Sequence, residues 1–217
     1  MHRCVPEESR EFVYESAAAC IPLLWKMGIT CVHAPDGIDL FGMARHLRLE
    51  RDLPLRFAFM PPLSALPSLE SMGIAQGYGD DWVWTAQIKM FKDGSLGSST
   101  AYLYEPYEGK AEYLGLEVMT DEEVRTKVRA SVEAGYGVAI HAIGDRAMAG
   151  TLDGIEANLK ESRRRGIRHR IEHAQMIHPD DISRFKALGV VASVQPSHAV
   201  ADRYMVDREW GDRSGRA

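Results

Sequence analysis

The sequence predicts an α/β fold in which helices cover a parallel sheet. Apolar, strand-like runs alternate with helix-like segments along most of the chain, and glycine follows several of those segments. His141 and His173 close two of the strand-like runs and lie 32 positions apart, close to the ~30 residues of one βαβ unit. Alternation of this kind is typical of parallel sheets.

Six runs have the length and the apolar content of buried strands. They span residues 28–35, 55–62, 84–91, 136–143, 167–174 and 190–197. Helices are predicted between them at residues 7–27, 66–72, 120–135, 145–165 and 180–188. In the third of these, Thr120 and Glu123 can form a capping box. Three valines then follow at four-residue spacing (Val124, Val128 and Val132), which predicts a buried stripe ending at Gly135.

Length and composition allow one sizeable core and predict one or two domains, and we interpret residues 1–217 as a single domain. The chain has 217 residues, of which 45% are hydrophobic, and a formal charge of -5. A mildly acidic chain has no general attraction for nucleic acid. The basic run 163–170 is interpreted as a solvated helix end. The longest apolar stretch, 17–29, is too short to cross a membrane. The odd number of cysteines (Cys4, Cys20 and Cys31), without metal-type spacing, fits small buried side chains in a reducing, cytoplasmic compartment.

The alternation leaves two architectures open. An open, doubly wound sheet and a (β/α)8 barrel both fit it, although the dinucleotide-binding pattern G-x-G-x-x-G of the first is absent. The segment 94–115 lacks clear periodicity, and irregular loops of this length are often functional lids.

Polar residues end several of the predicted strands. Lys89, His141 and His173 occupy corresponding places, and Gln195 and His198 follow the last strand. Catalytic groups of parallel α/β folds gather at the carboxyl ends of the strands. A single histidine there is more often structural. Two equivalent histidines and a lysine together favour a functional site.

Lys89 lies within an apolar run, where burial favours the neutral amine. A neutral amine can react with carbon dioxide to give a carbamate, which is an oxygen donor able to bridge two cations. The alternative is a structural salt bridge between Lys89 and Asp93.

Four stretches together carry a family resemblance: "IKMFKDGSLGSSTAYLYEPY", "AIHAIGDRA", "RIEHAQ" and "ASVQPSHA". In this order and spacing they resemble the amidohydrolase superfamily, specifically amidohydrolase family 3, which includes N-substituted formamide deformylase-like enzymes. The resemblance covers nearly the whole chain, and "GITCVHAP" resembles the family's second-strand segment.

The resemblance implies a distorted (β/α)8 TIM-type barrel with one or two divalent metals, usually zinc. It implies hydrolysis of a non-peptide C–N bond in a small amide, N-acyl or formamide substrate by a metal-bound hydroxide. Lys89 (as a carbamate), His141 and His173 correspond to metal ligands. Four more residues are predicted to support the ligands or the substrate: Asp93, Asp145, Gln175 and His198. Asp145 has an alternative role as the N-cap of the next helix.

The sequence also departs from the family pattern. No two histidines are two positions apart, so the first-strand H-x-H pair is missing, as is the eighth-strand aspartate. We therefore expect a partial barrel of about strands 2–7, either a fragment or a short protein, with weak or no hydrolase activity alone. Its open strand edges favour association, including homo-oligomers.

Two rival interpretations remain. "HRIEH" (169–173) matches H-x-x-E-H, the inverted zincin pattern, which requires a helix at that place. The second rival is a degenerate, non-catalytic barrel that serves as a binding or scaffold protein. Bound zinc would argue against the second.

Overall fold

The computed structural model of the protein describes residues 9–35, 39–52 and 54–216. The strands are β1 (Cys31–Ala34), β2 (Arg56–Phe59), β3 (Val83–Thr85), β4 (Ile88–Phe91), β5 (Val138–Ala142), β6 (Arg170–His173) and β7 (Val191–Ser193). The helices are α1 (Arg10–Lys26), α2 (Asp39–Glu50), α3 (Leu66–Ser71), α4 (Asp121–Glu133), α5 (Asp145–Glu156), α6 (Leu159–Arg164), α7 (Pro179–Leu188), α8 (His198–Ala201) and α9 (Arg203–Trp210).

All strand pairs are parallel and form two sheets, β1-β2-β3 and β4-β5-β6-β7. The backbone N–H of Lys89 donates to Pro61 O at 2.8 Å and joins the end of β2 to β4. The two sheets therefore continue one another around an arc. Across the inside of this arc, the side chain of Arg170 in β6 reaches His33 in β1. The predicted α/β class and partial barrel are confirmed.

The outer face of β4–β6 packs against helices α4 and α5. Ile88, Val138 and Ile140 are fully buried there, together with the predicted valine stripe of α4. The capping box that begins α4 forms as predicted: Thr120 Oγ1 accepts from the N–H of Glu123, whose carboxylate accepts from the N–H of Thr120. The sheet face and the helix stripe form the main core of the molecule.

Two sequence predictions about the elements are wrong, and one helix was missed. The predicted strand 84–91 is two strands, β3 and β4, separated at residues 86–87. Helix α2 was not predicted, because its only buried residues (Met43, Ala44 and Leu47) form a short stripe. The predicted helix 145–165 breaks at Asn158, whose side-chain amide donates to two backbone carbonyls, Gly154 O and Arg125 O.

The inverted zincin interpretation fails because the segment is strand β6 instead of a helix. His169 is buried below that strand, where its ring contacts the N–H of Val138 and Ser162 Oγ. In the basic run before it, Arg163 donates to a backbone carbonyl, and Arg164 and Arg165 donate to the carboxylate of Glu161. These contacts agree with the interpretation of this run as the end of a helix. No described helix is long and apolar enough to cross a membrane.

The cysteine prediction is only partly met. Cys20 is exposed and Cys31 is half-buried, so the expectation of buried thiols is wrong for Cys20; both are free. Cys4 and the first two residues of the predicted helix 7–27 lie outside the described residues.

Candidate metal centre

Polar side chains face the inside of the arc on strands β4–β6. In β4, Ile88 and Met90 pack outward, so strand alternation turns Lys89 and Phe91 inward. In β5, alternation turns Ala139 and His141 inward, and Ala139 packs in a cluster with Ala58, Met60 and Ala86. The inner face thus collects the groups that the sequence singled out.

His141 is a neutral imidazole whose orientation is fixed. Its Nε2 lies 2.7 Å from Gly94 O, so Nε2 carries the proton that this carbonyl accepts. Burial lowers the pKa of His141 to about 4. The proton on Nε2 leaves the lone pair of Nδ1 available, which is the form of histidine that ligates metals.

His173 turns toward His141 by leaving the regular strand conformation. Strand alternation would place it on the helix side, because Ile171 two positions earlier packs there. Its φ of 72° and the φ of 45° at Ala174 are left-handed, and the strand ends at this point. The rings of His173 and His141 lie 4.6 Å apart at 70°. Strained backbone of this kind is concentrated at functional sites.

The second ring of the pair is held in the same way as the first. His173 Nδ1 lies 2.9 Å from Gln195 Oε1, the oxygen of a side chain that follows β7. Because an amide oxygen only accepts, Nδ1 carries the proton and Nε2 is the free nitrogen. Burial lowers the pKa of His173, which favours the neutral ring.

Lys89 is buried on the inner face, as predicted, but it is the second residue of β4 instead of the last. Its long side chain reaches the strand end, where Nζ lies 4.4 Å from the ring centre of Phe91. Burial lowers the pKa of Lys89 to about 8. The alternative salt bridge to Asp93 is wrong, since no carboxylate of the described residues lies within 4.0 Å of Nζ.

Asp93 organises the backbone around the two histidines. Its fully buried carboxylate accepts the N–H groups of Tyr102, Ile143 and Gly144. Burial raises the pKa of Asp93 to about 6, although these hydrogen bonds oppose the rise. Its Oδ1 lies 3.6 Å from His141 Nε2. Asp93 therefore joins the end of β5 to the segment that holds Gly94.

Of the other three predicted supporting residues, Asp145 has a structural role, whereas His198 and Gln175 lie beside the histidine pair. Asp145 is the first residue of α5 instead of its cap, which is Gly144, and its carboxylate accepts the N–H of Tyr104. His198 stacks on His173 with ring centres 5.6 Å apart. Gln175 donates to Asp202, beside this stack.

The segment 94–115 has its own core. Tyr107 is buried with Trp210 of α9, and Glu209 of the same helix accepts from Ser99 and Lys110. The N–H of Tyr102 donates to the Asp93 carboxylate. These contacts pack the segment against α9, and its role as a functional lid stays a prediction.

The inner face holds a buried ion pair that the sequence interpretation missed. Arg170 and Glu172 of β6 face inward, in register with Ala139 and His141 of β5. Alternation within "RIEH" was the available signal, since it places both charges on the face opposite Ile171. Beside the histidines, a pocket of about 560 Å³ is lined by residues that include His173, Gln175, His198 and Arg203.

The donor set fits a divalent metal in part. Two neutral imidazoles with fixed N–H groups suit zinc, and Lys89 would add oxygen donors as a carbamate. Within the described ranges, no three His, Cys, Asp or Glu side chains converge on one point. The two histidines and Lys89 are therefore the ligand candidates that this part of the chain offers.

Parallel strands, covering helices and inward-facing histidines define a metal-hydrolase type of barrel. The chain belongs to amidohydrolase family 3, since the model described as "Amidohydrolase family" matches residues 2–217. It is 30% identical over 219 residues to "Putative amidohydrolase YtcJ" of Bacillus subtilis (strain 168), covering 97% of this chain and 40% of that protein. It is 42% identical over 131 residues to "Protein LONG AFTER FAR-RED 3" of Arabidopsis thaliana, covering 60% of this chain and 22% of that protein.

Two solved structures share the fold. An uncharacterized metal-dependent hydrolase from Pyrococcus furiosus matches with a TM-score of 0.76 and 27% identity over 92% of this chain and 41% of its own. A second, from Pyrococcus horikoshii OT3, matches with a TM-score of 0.72 and 30% identity over 88% of this chain and 38% of its own. The chain spans about two fifths of the length of these structures and of the Bacillus relative.

Proposed function

We propose that this chain is the metal-holding part of a metal-dependent amidohydrolase that cleaves a non-peptide C–N bond of a small amide, N-acyl or formamide substrate. One observation carries the proposal. His141 and His173 meet edge to face at adjacent strand ends, 4.6 Å apart, and each has one ring nitrogen engaged by an oxygen. Two imidazoles fixed in this way are typical of a metal centre.

The metal is expected to be one or two zinc ions, held by His141, His173 and Lys89. A bound zinc ion would polarise the substrate carbonyl and lower the pKa of a coordinated water. Lys89 becomes an oxygen donor when its neutral amine adds carbon dioxide and releases one proton, which gives a carbamate. Burial supports this step, because it lowers the pKa of Lys89 to about 8.

The pocket beside His173 is the proposed place for the substrate. Its volume of about 560 Å³ suits a small molecule. His198 and Gln175 line the wall nearest to the histidines and are proposed to orient the scissile group. The ring of Phe91 lies on the other side of the site, with its centre 4.4 Å from Lys89 Nζ.

A degenerate, non-catalytic barrel is the second candidate. It is favoured by the small donor set, since within residues 9–35, 39–52 and 54–216 no group of three His, Cys, Asp or Glu side chains is placed to hold one metal ion. We accordingly expect this chain alone to have weak or no hydrolase activity.

We further propose a cytoplasmic protein without nucleic-acid or membrane partners, in keeping with its charge of -5. Among the described strands, β1 pairs only with β2 and β7 only with β6, and these open strand edges support the proposal of homo-oligomers joined there.

Metal analysis of the purified chain tests the proposal. We expect about one tightly held zinc per chain, lost in His141→Ala and in His173→Ala. His46→Ala is the matched control, because His46 packs on Tyr14, away from the site, and this variant should keep its zinc. Absence of tightly held zinc in the wild-type chain would favour the non-catalytic barrel. Turnover of an N-formyl or N-acyl substrate at rates typical of enzymes would contradict the expected weak activity.

A further inference from the structure

The turn 94–100 after β4 closes on itself beside His141. Gly94 O accepts the Nε2–H of His141 at 2.7 Å, and the N–H of Gly94 donates to Thr100 O at 3.1 Å. The N–H of Ser95 donates to Thr100 Oγ1 at 2.9 Å. A Cβ atom at Gly94 would overlap Thr100 Oγ1, so the two ends of the turn pack tightly. The position of the carbonyl that holds His141 therefore depends on closure of the turn.

Closure of the turn places one residue in a left-handed conformation. Ser99 has a φ of 54°, and its N–H donates to Leu96 O at 2.9 Å inside the turn. For an L-residue other than glycine this conformation is uncommon and costs free energy. The cost favours opening of the turn, so contacts from outside the turn are needed to hold Ser99.

Glu209 of α9 holds Ser99 from outside the turn. Ser99 Oγ donates to Glu209 Oε2 at 2.8 Å, and Lys110 Nζ donates to these two oxygens at 2.7 and 3.1 Å. The Glu209 side chain is only 8% exposed, so little water competes for its oxygen. Leu96 of the same turn is buried in a cluster with Trp210 of α9. The helix therefore contacts the turn at one polar and one apolar point.

We propose that Glu209 is a positioning residue for His141: by holding Ser99 in its left-handed conformation, it keeps the turn closed and Gly94 O within reach of His141 Nε2. The inference rests on the proposed function, in which His141 ligates a metal through its free Nδ1. Glu209 acts through the backbone of the turn, which carries the effect from Ser99 to Gly94. With the turn open, the His141 ring would lose the acceptor that fixes its orientation.

Two substitutions of Ser99 separate this role from a general effect on stability. Ser99→Ala removes the hydroxyl that contacts Glu209 and keeps the cost of the left-handed conformation. Ser99→Gly removes the same hydroxyl, but glycine adopts positive φ without a steric cost. The turn should therefore open in Ser99→Ala and stay closed in Ser99→Gly. In a Ser99→Gly background, loss of the Glu209 carboxylate should have no effect, because no strained residue needs it.

Exchange of the His141 Nε2–H with water reports whether the turn is closed, and NMR of the metal-free chain with isotope-labelled histidine gives its rate. The reference in the same sample is His169, whose Nδ1 accepts a backbone N–H and whose Nε2–H donates to Ser162 Oγ in the core. Glu209→Ala and Ser99→Ala should each speed exchange at His141 by about tenfold or more relative to His169, because each leaves a left-handed residue unsupported. Ser99→Gly and the double variant of Ser99→Gly with Glu209→Ala should stay within about threefold of the wild-type rate.

Arg208→Gln is the matched control for loss of a Glu209 contact. Arg208 Nε donates to the other carboxylate oxygen, Oε1, at 2.8 Å, so its loss leaves the Ser99 contact in place and should not change the rate at His141. Faster exchange in Arg208→Gln, equal rates in Ser99→Ala and Ser99→Gly, or an unchanged rate in Glu209→Ala would each overturn the proposal. Should Glu209→Ala fail to fold, the two variants of Ser99 decide alone. Because the measurement needs no zinc, a chain that binds no metal would refute the proposed function and still leave this test decisive.

Discussion

The two faces of strands β4–β6 are built from opposite kinds of residue. The outer face is apolar and almost free of exposure, as Ile88, Val138 and Ile140 show. The inner face carries a lysine, a histidine and an ion pair within the same few residues. One backbone therefore serves two purposes, since side chains alternate between the faces. Burial of the apolar outer face stabilises the fold and offsets the free-energy cost of burying polar groups on the inner face.

The largest expected effect lies on the outer face. Ile140→Ala should lower the free energy of unfolding by about 2–5 kcal/mol, because it opens a cavity at a fully buried position between β5 and its helices. Urea unfolding followed by circular dichroism measures the change.

The inner-face counterpart is Lys89→Met, which should not lower the free energy of unfolding, because Lys89 has no ion pair to lose among the described residues. Equal losses in the two variants would show that the faces do not divide stability and function as we infer.

The second prediction concerns His169, the histidine that belongs to the core. Burial lowers the pKa of His169 to about 4, against 6.5 for the ordinary value. Between these values the unfolded chain binds more protons than the folded one, so stability falls as the pH falls. The contribution of His169 lost between pH 7 and pH 5 should be about 2 kcal/mol.

A comparison with His169→Gln isolates this contribution. Asp93, whose pKa burial raises to about 6, makes the fold more stable as the pH falls. This effect is the same in wild type and variant, so it cancels in the difference between them. The difference in unfolding free energy between wild type and variant should shrink on going from pH 7 to pH 5. A difference that is independent of pH would mean that His169 is not kept neutral by burial.

The outer face was the easier one to predict from the sequence. Apolar runs, four-residue spacing and the capping box at Thr120 are local signals, and the strands and α4 follow them. The errors arise where a local contact interrupts a pattern. Asn158 ends α5 early through hydrogen bonds to the backbone, and the apolar run 84–91 continues across the break between β3 and β4.

The inner face could be predicted only as a set of residues. Lys89, His141 and His173 were identified by position and by family resemblance, and the structure brings the two histidines together. How it does so was not predictable, because a left-handed φ such as that of His173 is uncommon outside glycine and no local pattern marks where it occurs. The pairing of Arg170 with His33 joins residues 137 positions apart, and it depends on the curvature of the whole sheet.

The third prediction concerns Gln195, whose side-chain oxygen holds the ring of His173 on the inner face. Gln195→Leu removes the oxygen that engages His173 Nδ1, and zinc affinity should fall at least about tenfold, as is usual when such a hydrogen bond is lost. Unfolding of the metal-free chain should change little, since Gln195 is half-buried. Titration with zinc against a chromophoric chelator gives the affinity. Unaltered affinity would mean that Gln195 does not fix the ring.

The smallest effect is expected at the start of α4, which covers the outer face. Thr120→Ala removes the cap that accepts the N–H of Glu123 and should lower the free energy of unfolding by about 1 kcal/mol. Thr120→Ser keeps the hydroxyl and should stay within about 0.5 kcal/mol of the wild type. Both variants should bind zinc as the wild type does, because the cap contacts no inner-face residue. A loss of zinc affinity in Thr120→Ala alone would show that strain in the helix layer passes through the strands to the histidines, and the two faces would then be coupled.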